Sequence, residues 1–264
     1  MNKNKIKNFF LVFSMAFLIA CTSTAPITGR RQLKLVDDVA LVNSSVASYN
    51  QLINQTKAQG LLANNTADGR RLATIGRRIA KAVETYMLEN GMGDRIKYLS
   101  WEFNLIKSKE INAFAMPGGK IAFYTGILPI LKSDAGIAFV MGHEIGHVIA
   151  GHHAEGASNR QVAGIAAGLT NIFVGGPASA LVSDGLSLGL LKFNRTQEYE
   201  ADKYGLIFMA MAGYNPEEGV KAEERMAAIS KSSGSDFTST HPASDKRIQA
   251  LKEFLPEAMR YYKK

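Results

Sequence analysis

His143, Glu144 and His147, within the sequence HEIGH, set two imidazoles and one carboxylate at helical spacing. Residues four apart on an α-helix differ by about 400° of rotation, so the two histidines project within about 40° of each other and can grip one metal ion. Glu144 lies about 100° round from His143, near such an ion yet free to take a proton from a water molecule. Two imidazoles with a neighbouring free carboxylate suit a hydrolytic zinc site holding one Zn2+ per chain. HExxH alone arises by accident in about one chain in a hundred of this length, so a third donor has to decide.

The segment from Asn194 to Asp202, NRTQEYEAD, offers that donor on a helix expected to run toward Met211. Glu198 and Asp202 are four apart and share a face, whereas Glu200 points elsewhere. Glu198 therefore suits the third ligand, with Asp202 placed to accept the second ring N–H of a ligating histidine and fix its tautomer. Two histidines and one glutamate leave one position open, which marks a catalytic rather than a structural zinc site. In the reaction this implies, zinc activates a bound water, Glu144 takes its proton, and the hydroxide attacks a peptide carbonyl.

HEIGH followed by ExxAD resembles the gluzincin metallopeptidases of the type I CAAX prenyl protease and HtpX family, particularly their bacterial periplasmic lipoprotein members. NAFAMPGG from Asn112 to Gly119, the Thr125-Gly126-Ile127-Leu128 that follows, and THPASDKRI from Thr240 to Ile248 add to the match, which covers roughly residues 68 to 255. Gly151 departs from it, since members commonly carry a basic residue before the position of His152. The resemblance implies an α+β, mainly helical zincin fold with a small antiparallel β-sheet beside the HExxH helix. It also implies an edge strand, carried by Asn112, Ala113, Phe114 and Ala115, that binds extended substrate through main-chain hydrogen bonds; Phe114 reads equally well as a core residue. By the same resemblance His241 approaches the oxyanion of the tetrahedral intermediate as a catalytic donor, and Arg247 supports substrate or positions the loop before it. His152 and His153 lie about 140° and 240° off the face of His147 if the helix continues, so they are expected to cap or flank its end.

The elements that must hold these residues are legible in part. Ser133 and Asp134 offer an N-cap ahead of Ile137, Val140, Met141, Ile145, Val148 and Ile149, while Gly142 and Gly146 weaken the helix but leave room for backbone or substrate. Val36 to Gln59 has roughly helical spacing, and Asp68 to Asn90 places Leu72, Ile75, Ile79, Val83 and Tyr86 on one face. Arg70, Arg71, Arg77, Arg78 and Lys81 on that second helix form either a solvated surface or a face for anionic lipid. Asn90 to Asp94 breaks the chain, after which Leu99, Trp101, Phe103 and Leu105 alternate as in a strand and Pro117-Gly118-Gly119 turns back before a β-forming run from Ile121 to Thr125. Between the two metal motifs, Gln161 to Leu191 is almost uncharged; packed helices, a flap over the cleft and a membrane hairpin are all open there, although the Gly-Gly-Pro break leaves pieces short for spanning.

Lys3, Lys5 and Lys7 precede an apolar run from Phe9 to Ala20, too short for a bilayer that needs about 20 residues, so it reads as a signal peptide. Leu18-Ile19-Ala20-Cys21 resembles a bacterial lipobox, which implies cleavage before Cys21 and lipidation of that residue, the chain's single cysteine. Residues 1–20 are thus expected to be a lipoprotein signal peptide, 21–35 a polar lipid-anchored tether, and 36–264 one metallopeptidase domain. With 46% hydrophobic and 20% charged residues, the 264-residue chain is globular rather than disordered or fibrous. Its net charge of +8 comes from scattered basic residues and gives nucleic-acid binding little support.

The function these features imply is a membrane-anchored zinc metalloendopeptidase in the bacterial cell envelope. It would face the periplasm, from the outer rather than the inner membrane because Thr22 rather than aspartate follows Cys21, and would cleave unfolded or misfolded envelope proteins. An assembly factor working beside the outer-membrane assembly machinery, chaperone-like with latent proteolysis, is the alternative.

Overall fold

The structure is a computed structural model that describes residues 22–166, 192–233 and 244–262, together with Phe237, Thr240 and His241. The signal-peptide and lipobox reading, Cys21 included, lies outside these residues, as does most of the stretch from Gln161 to Leu191. Among the described residues no helix is long and apolar enough to cross a membrane.

The first residues of the expected tether carry two short strands. Strands β1 (Thr22–Thr24) and β2 (Arg31–Leu33) pair antiparallel, and Gly29 at φ +65° closes the turn between them. Each strand has only three residues, too few to show a period in the sequence.

Helix α1 (Asp38–Ala58) starts on the Asp37 side chain, which accepts from the Ala40 N–H. Its buried face mixes Leu41 and Tyr49 with Ser44, Ser45 and Ser48; Ser44 and Ser48 return hydrogen bonds to their own helix. Helix α2 (Ala67–Glu89), capped by Thr66, buries Leu72, Ile75, Ile79, Val83 and Tyr86 as their spacing requires. Two arginines of its basic face reach across to distant segments. Arg71 pairs with Asp134, and Arg78 donates to the Ala212 carbonyl while covering the Tyr214 ring.

Strands β3 (Glu102–Ile106), β4 (Ala113–Met116) and β5 (Lys120–Tyr124) form a sheet of order β3-β5-β4. It is mixed rather than antiparallel, because β5 runs parallel to β3 and antiparallel to β4. The tight turn at Gly118 (φ +93°) and Gly119 (φ +78°) folds β4 back along β5, and the chain leaving β3 crosses to the far side, so β5 takes the centre. Alternation along β4 divides the interior. Ala113 and Ala115 face the main core with α2 and the metal-motif helix, whereas Phe114 and Met116 join Tyr49 and Val36 on the other face of the sheet.

After a short helix α3 (Leu128–Leu131), Ser133 caps α4 (Asp134–Ile149), whose residues 136–147 are all buried. Gly151 at φ +78° then stops the helix, and α5 (His152–Ala166) sets off in a new direction. Across α4 runs α6 (Arg195–Met211), fixed at its start by a capping box between Asn194 and Gln197. Helices α7 (Pro216–Ser233) and α8 (Asp245–Ala258) pack on this pair, and Arg225 of α7 donates to the Ile130 and Leu131 carbonyls.

Gly142 and Gly146 of the HExxH helix face α6. A Cβ at Gly142 would stand 3.1 Å from the Gly205 Cα, and one at Gly146 only 2.7 Å from the Tyr204 Cβ. Gly146→Ala should therefore destabilise the protein despite a helix-propensity gain of up to ~1 kcal/mol, since forcing the helices apart costs about 1–3 kcal/mol. Urea unfolding of the variant measures the balance; a raised midpoint would mean that the crossing yields without cost.

Candidate metal centre

Helix α4 presents His143 and His147, and α6 presents Glu198 from its first turn. The His143 and His147 Nε2 atoms lie 3.1 Å apart, and the Glu198 carboxylate sits 3.6 Å from the first and 3.5 Å from the second. His241 completes the group through Nδ1, which is 3.3 Å from His143 Nε2 and 3.1 Å from Glu198 Oε1. Each of the four is at most 2% exposed, and one donor atom from each lies within 4.8 Å of all the others.

This set fits zinc. Donors about 2.0–2.1 Å from a tetrahedral ion stand about 3.3 Å from one another, the spacing found here. A hydrogen bond between the two Nε2 atoms at 3.1 Å needs one of them protonated, whereas a cation between them lets both rings offer lone pairs. His241, expected as a donor to the oxyanion, stands within the donor cluster itself. Its Nδ1 reaches the fourth corner, while its Nε2 lies 3.5 Å from Glu144 Oε1. Phe237 stacks on this ring, with centroids 4.5 Å apart.

A second layer orients the ligands. Asp202, one turn beyond Glu198, holds His143 Nδ1 at 3.0 Å, so Nε2 is the nitrogen left to ligate. Arg247 forks onto Asp202 at 2.8 and 2.6 Å, and its third nitrogen lies 2.9 Å from Glu198 Oε2. Burial works against ionisation of both carboxylates, but the nearby positive charges prevail: Arg247 holds Asp202 down to about 2, and His241 with Arg247 lowers Glu198. Arg247 therefore stands behind the ligands. It is 1% exposed, beneath the ligands, and also faces Glu223, whose pKa burial raises.

His152 departs furthest from expectation. Because Gly151 breaks the helix, the rotation angles of a continuous α4 do not apply, and the first residue of α5 returns to place its Nδ1 2.8 Å from His147 Nδ1. Glu200 does point away from the donors, but onto His152 Nε2 at 2.8 Å. Phe193 stacks on the other side of His147, centroids 3.7 Å apart. Sequence reasoning missed Phe193, Phe237, Glu223 and the part played by His152 and Glu200. For the last two a signal existed: a histidine just past the motif and a glutamate on the opposite face of the ligand helix.

Glu144 is 2% exposed, and its Oε1 has no hydrogen-bond partner among the described residues. Burial raises its pKa, opposed by the nearby His241 and His143 and by a hydrogen bond from the Ala115 backbone. That bond brings strand β4 against the carboxylate, where the sequence expects a substrate-binding edge. The side chains there serve the fold. Asn112 accepts from the neighbouring Ala113 N–H, Ala113 is buried in the main core, and Phe114 packs edge-on to Tyr49 and Tyr124. Of the two readings of Phe114, its side chain takes the core one.

Comparison with known proteins agrees with this geometry. The model for peptidase family M48 matches residues 72–255, from α2 to α8. The mitochondrial metalloendopeptidase OMA1 of Schizosaccharomyces pombe is 38% identical over 68% of this chain and 53% of its own length. Its namesake from Saccharomyces cerevisiae is 31% identical over 99% and 78%, and the metalloprotease LoiP of Escherichia coli 27% over 90% and 95%. The chain therefore spans about half of the fission-yeast protein but nearly all of the E. coli one. Because the matched region contains both metal-bearing helices, the base beside them and the segment of His241, the chain belongs to peptidase family M48 and is a zinc metallopeptidase.

Proposed function

We propose that this protein is an endopeptidase of the bacterial cell envelope, lipid-anchored through Cys21 with its domain toward the periplasm, that cleaves unfolded or mis-assembled envelope proteins. The observation that carries the catalytic part is a buried carboxylate, Glu144, whose free Oε1 stands beside a convergent set of zinc donors. The location is supported by the lipobox-like Leu18 to Cys21, and a bacterial setting by likeness to the E. coli metalloprotease LoiP along almost its whole length. These outweigh the mitochondrial setting that the yeast relatives carry in their names.

Bound zinc supplies a Lewis acid that polarises the peptide carbonyl and acidifies water. His143, His147 and Glu198 hold it, and Asp202 with Arg247 keeps the first ring aimed and the third ligand ionised. Glu144 takes the proton of the attacking water and returns it to the leaving amine; burial raises its pKa, which strengthens it as a base. With His143, His147 and Glu198 as the zinc ligands, His241 would stand aside for water and its imidazole would serve as a hydrogen-bond donor to the carbonyl oxygen. Strand β4, tied to Glu144 through Ala115, is the edge that would align an extended peptide by main-chain bonds, which favours substrates that are unfolded over any one sequence.

Glu144→Gln should retain stoichiometric zinc yet lower casein turnover about 10²- to 10⁴-fold, as expected on losing a general base. Zinc analysis beside the degradation assay checks both halves, and unchanged proteolysis would overturn the mechanism. Glu198→Ala should purify with substoichiometric zinc; a full equivalent would move the third ligand elsewhere. Cys21→Ser should release the protein from the membrane fraction and abolish incorporation of labelled lipid. Retention of the label would refute the anchor.

A further inference from the structure

The two ligand histidines are backed alike, each by a carboxylate held by an arginine, but one of the two arginines lies outside the catalytic helices. His143 leans on Asp202, and Asp202 on Arg247. Behind His147 the sequence is longer. An imidazole that offers Nε2 to a metal carries its proton on Nδ1. The Nδ1–H of His147 therefore donates to His152 Nδ1, 2.8 Å away, which obliges His152 to hold its own proton on Nε2 and donate it to Glu200 Oε2, also at 2.8 Å. Glu200 must then be a fixed acceptor. It is 2% exposed and takes hydrogen bonds from the Thr28 hydroxyl and from Arg30, whose Nε and Nη2 each lie 3.1 Å from it.

Arg30 belongs to the turn between β1 and β2, and several contacts seat that strap. The guanidinium also grips Glu155 with two 2.8 Å bonds, and Gln197 of the α6 capping box donates to the same carboxylate. Gln32 donates to the Ala150 carbonyl at the end of α4, and the Leu35 N–H donates to Ser158 of α5. We propose that Arg30 is a positioning residue of the metal centre, acting through Glu200 and His152 on the ring of His147. The segment joining the proposed lipid anchor to the domain is thereby part of the site, and displacing it weakens metal binding. The inference rests on the zinc reading of the donor cluster.

Zinc affinity of the full-length chain, measured by chelator competition, tests it together with the visible spectrum of the cobalt-substituted protein. Arg30→Ala and His152→Ala should each weaken zinc about 10- to 100-fold, the usual effect of removing a partner behind a ligand, and shift the cobalt bands. The double variant should be no weaker than His152→Ala alone, within about twofold, because the arginine acts through that histidine. Arg30→Lys should restore part of the loss. Arg225→Ala, which removes a half-buried arginine tie remote from the donors, should lower thermal stability while leaving affinity and spectrum unchanged. Additive losses, an Arg30→Ala protein with wild-type affinity and bands, or an equal loss in Arg225→Ala would each overturn the proposal. Absence of zinc binding by the wild type would overturn the zinc reading itself.

Discussion

The approach of α4 to α6 is the constraint on which everything else depends. His143 and His147 lie on one helix and Glu198 on another, more than fifty residues apart in sequence, and their donor atoms must converge to about the width of a zinc coordination sphere. Side chains as short as histidine and glutamate allow this only if the helix backbones nearly touch. Gly142 and Gly146 on α4, against Gly205 and Ala201 on α6, permit that closeness. Their poor helix propensity is tolerated because the helix is buried all round, where packing outweighs intrinsic preference.

Convergence concentrates charge where there is no water to screen it. Glu144, Glu198, Glu200, Asp202 and Glu223 are all at most 2% exposed. Buried carboxylates are sustained only by opposing charge and hydrogen bonds. Arg247 supplies both to Asp202 and Glu198, and Arg30 supplies both to Glu200. Glu144 differs in having no arginine against it among the described residues, and its Oε1, 3.5 Å from His241 Nε2, makes no hydrogen bond there. A catalytic base has to be left free in this way, because a carboxylate fully satisfied by the protein has little tendency to take a proton from water.

Parts of this centre were legible because helical periodicity is a local property. The spacing of HEIGH put both histidines on one face, and the spacing of Glu198 and Asp202 separated them from Glu200, as the distances show. The same reasoning misplaced His152, because it assumed that α4 continues. One glycine in the left-handed region redirected the next helix and turned a flanking histidine into a partner of the metal ligand. Sheet order was equally hidden. Which of three short strands lies in the middle depends on the path of the chain between β3 and β4, and side-chain alternation does not record that path.

The sequence by itself determined the chemistry: the ligand types, the adjacent base, and the face of each helix that carries them, all fixed by the 3.6-residue period. Tertiary structure alone decided which residues stand behind the ligands. Arg30, His152, Arg247 and Phe193 come from four separate segments, and only packing brings them within reach of one another. Hydrogen bonds and charge pairs act over a few ångströms of space, and distance along the chain carries no trace of them.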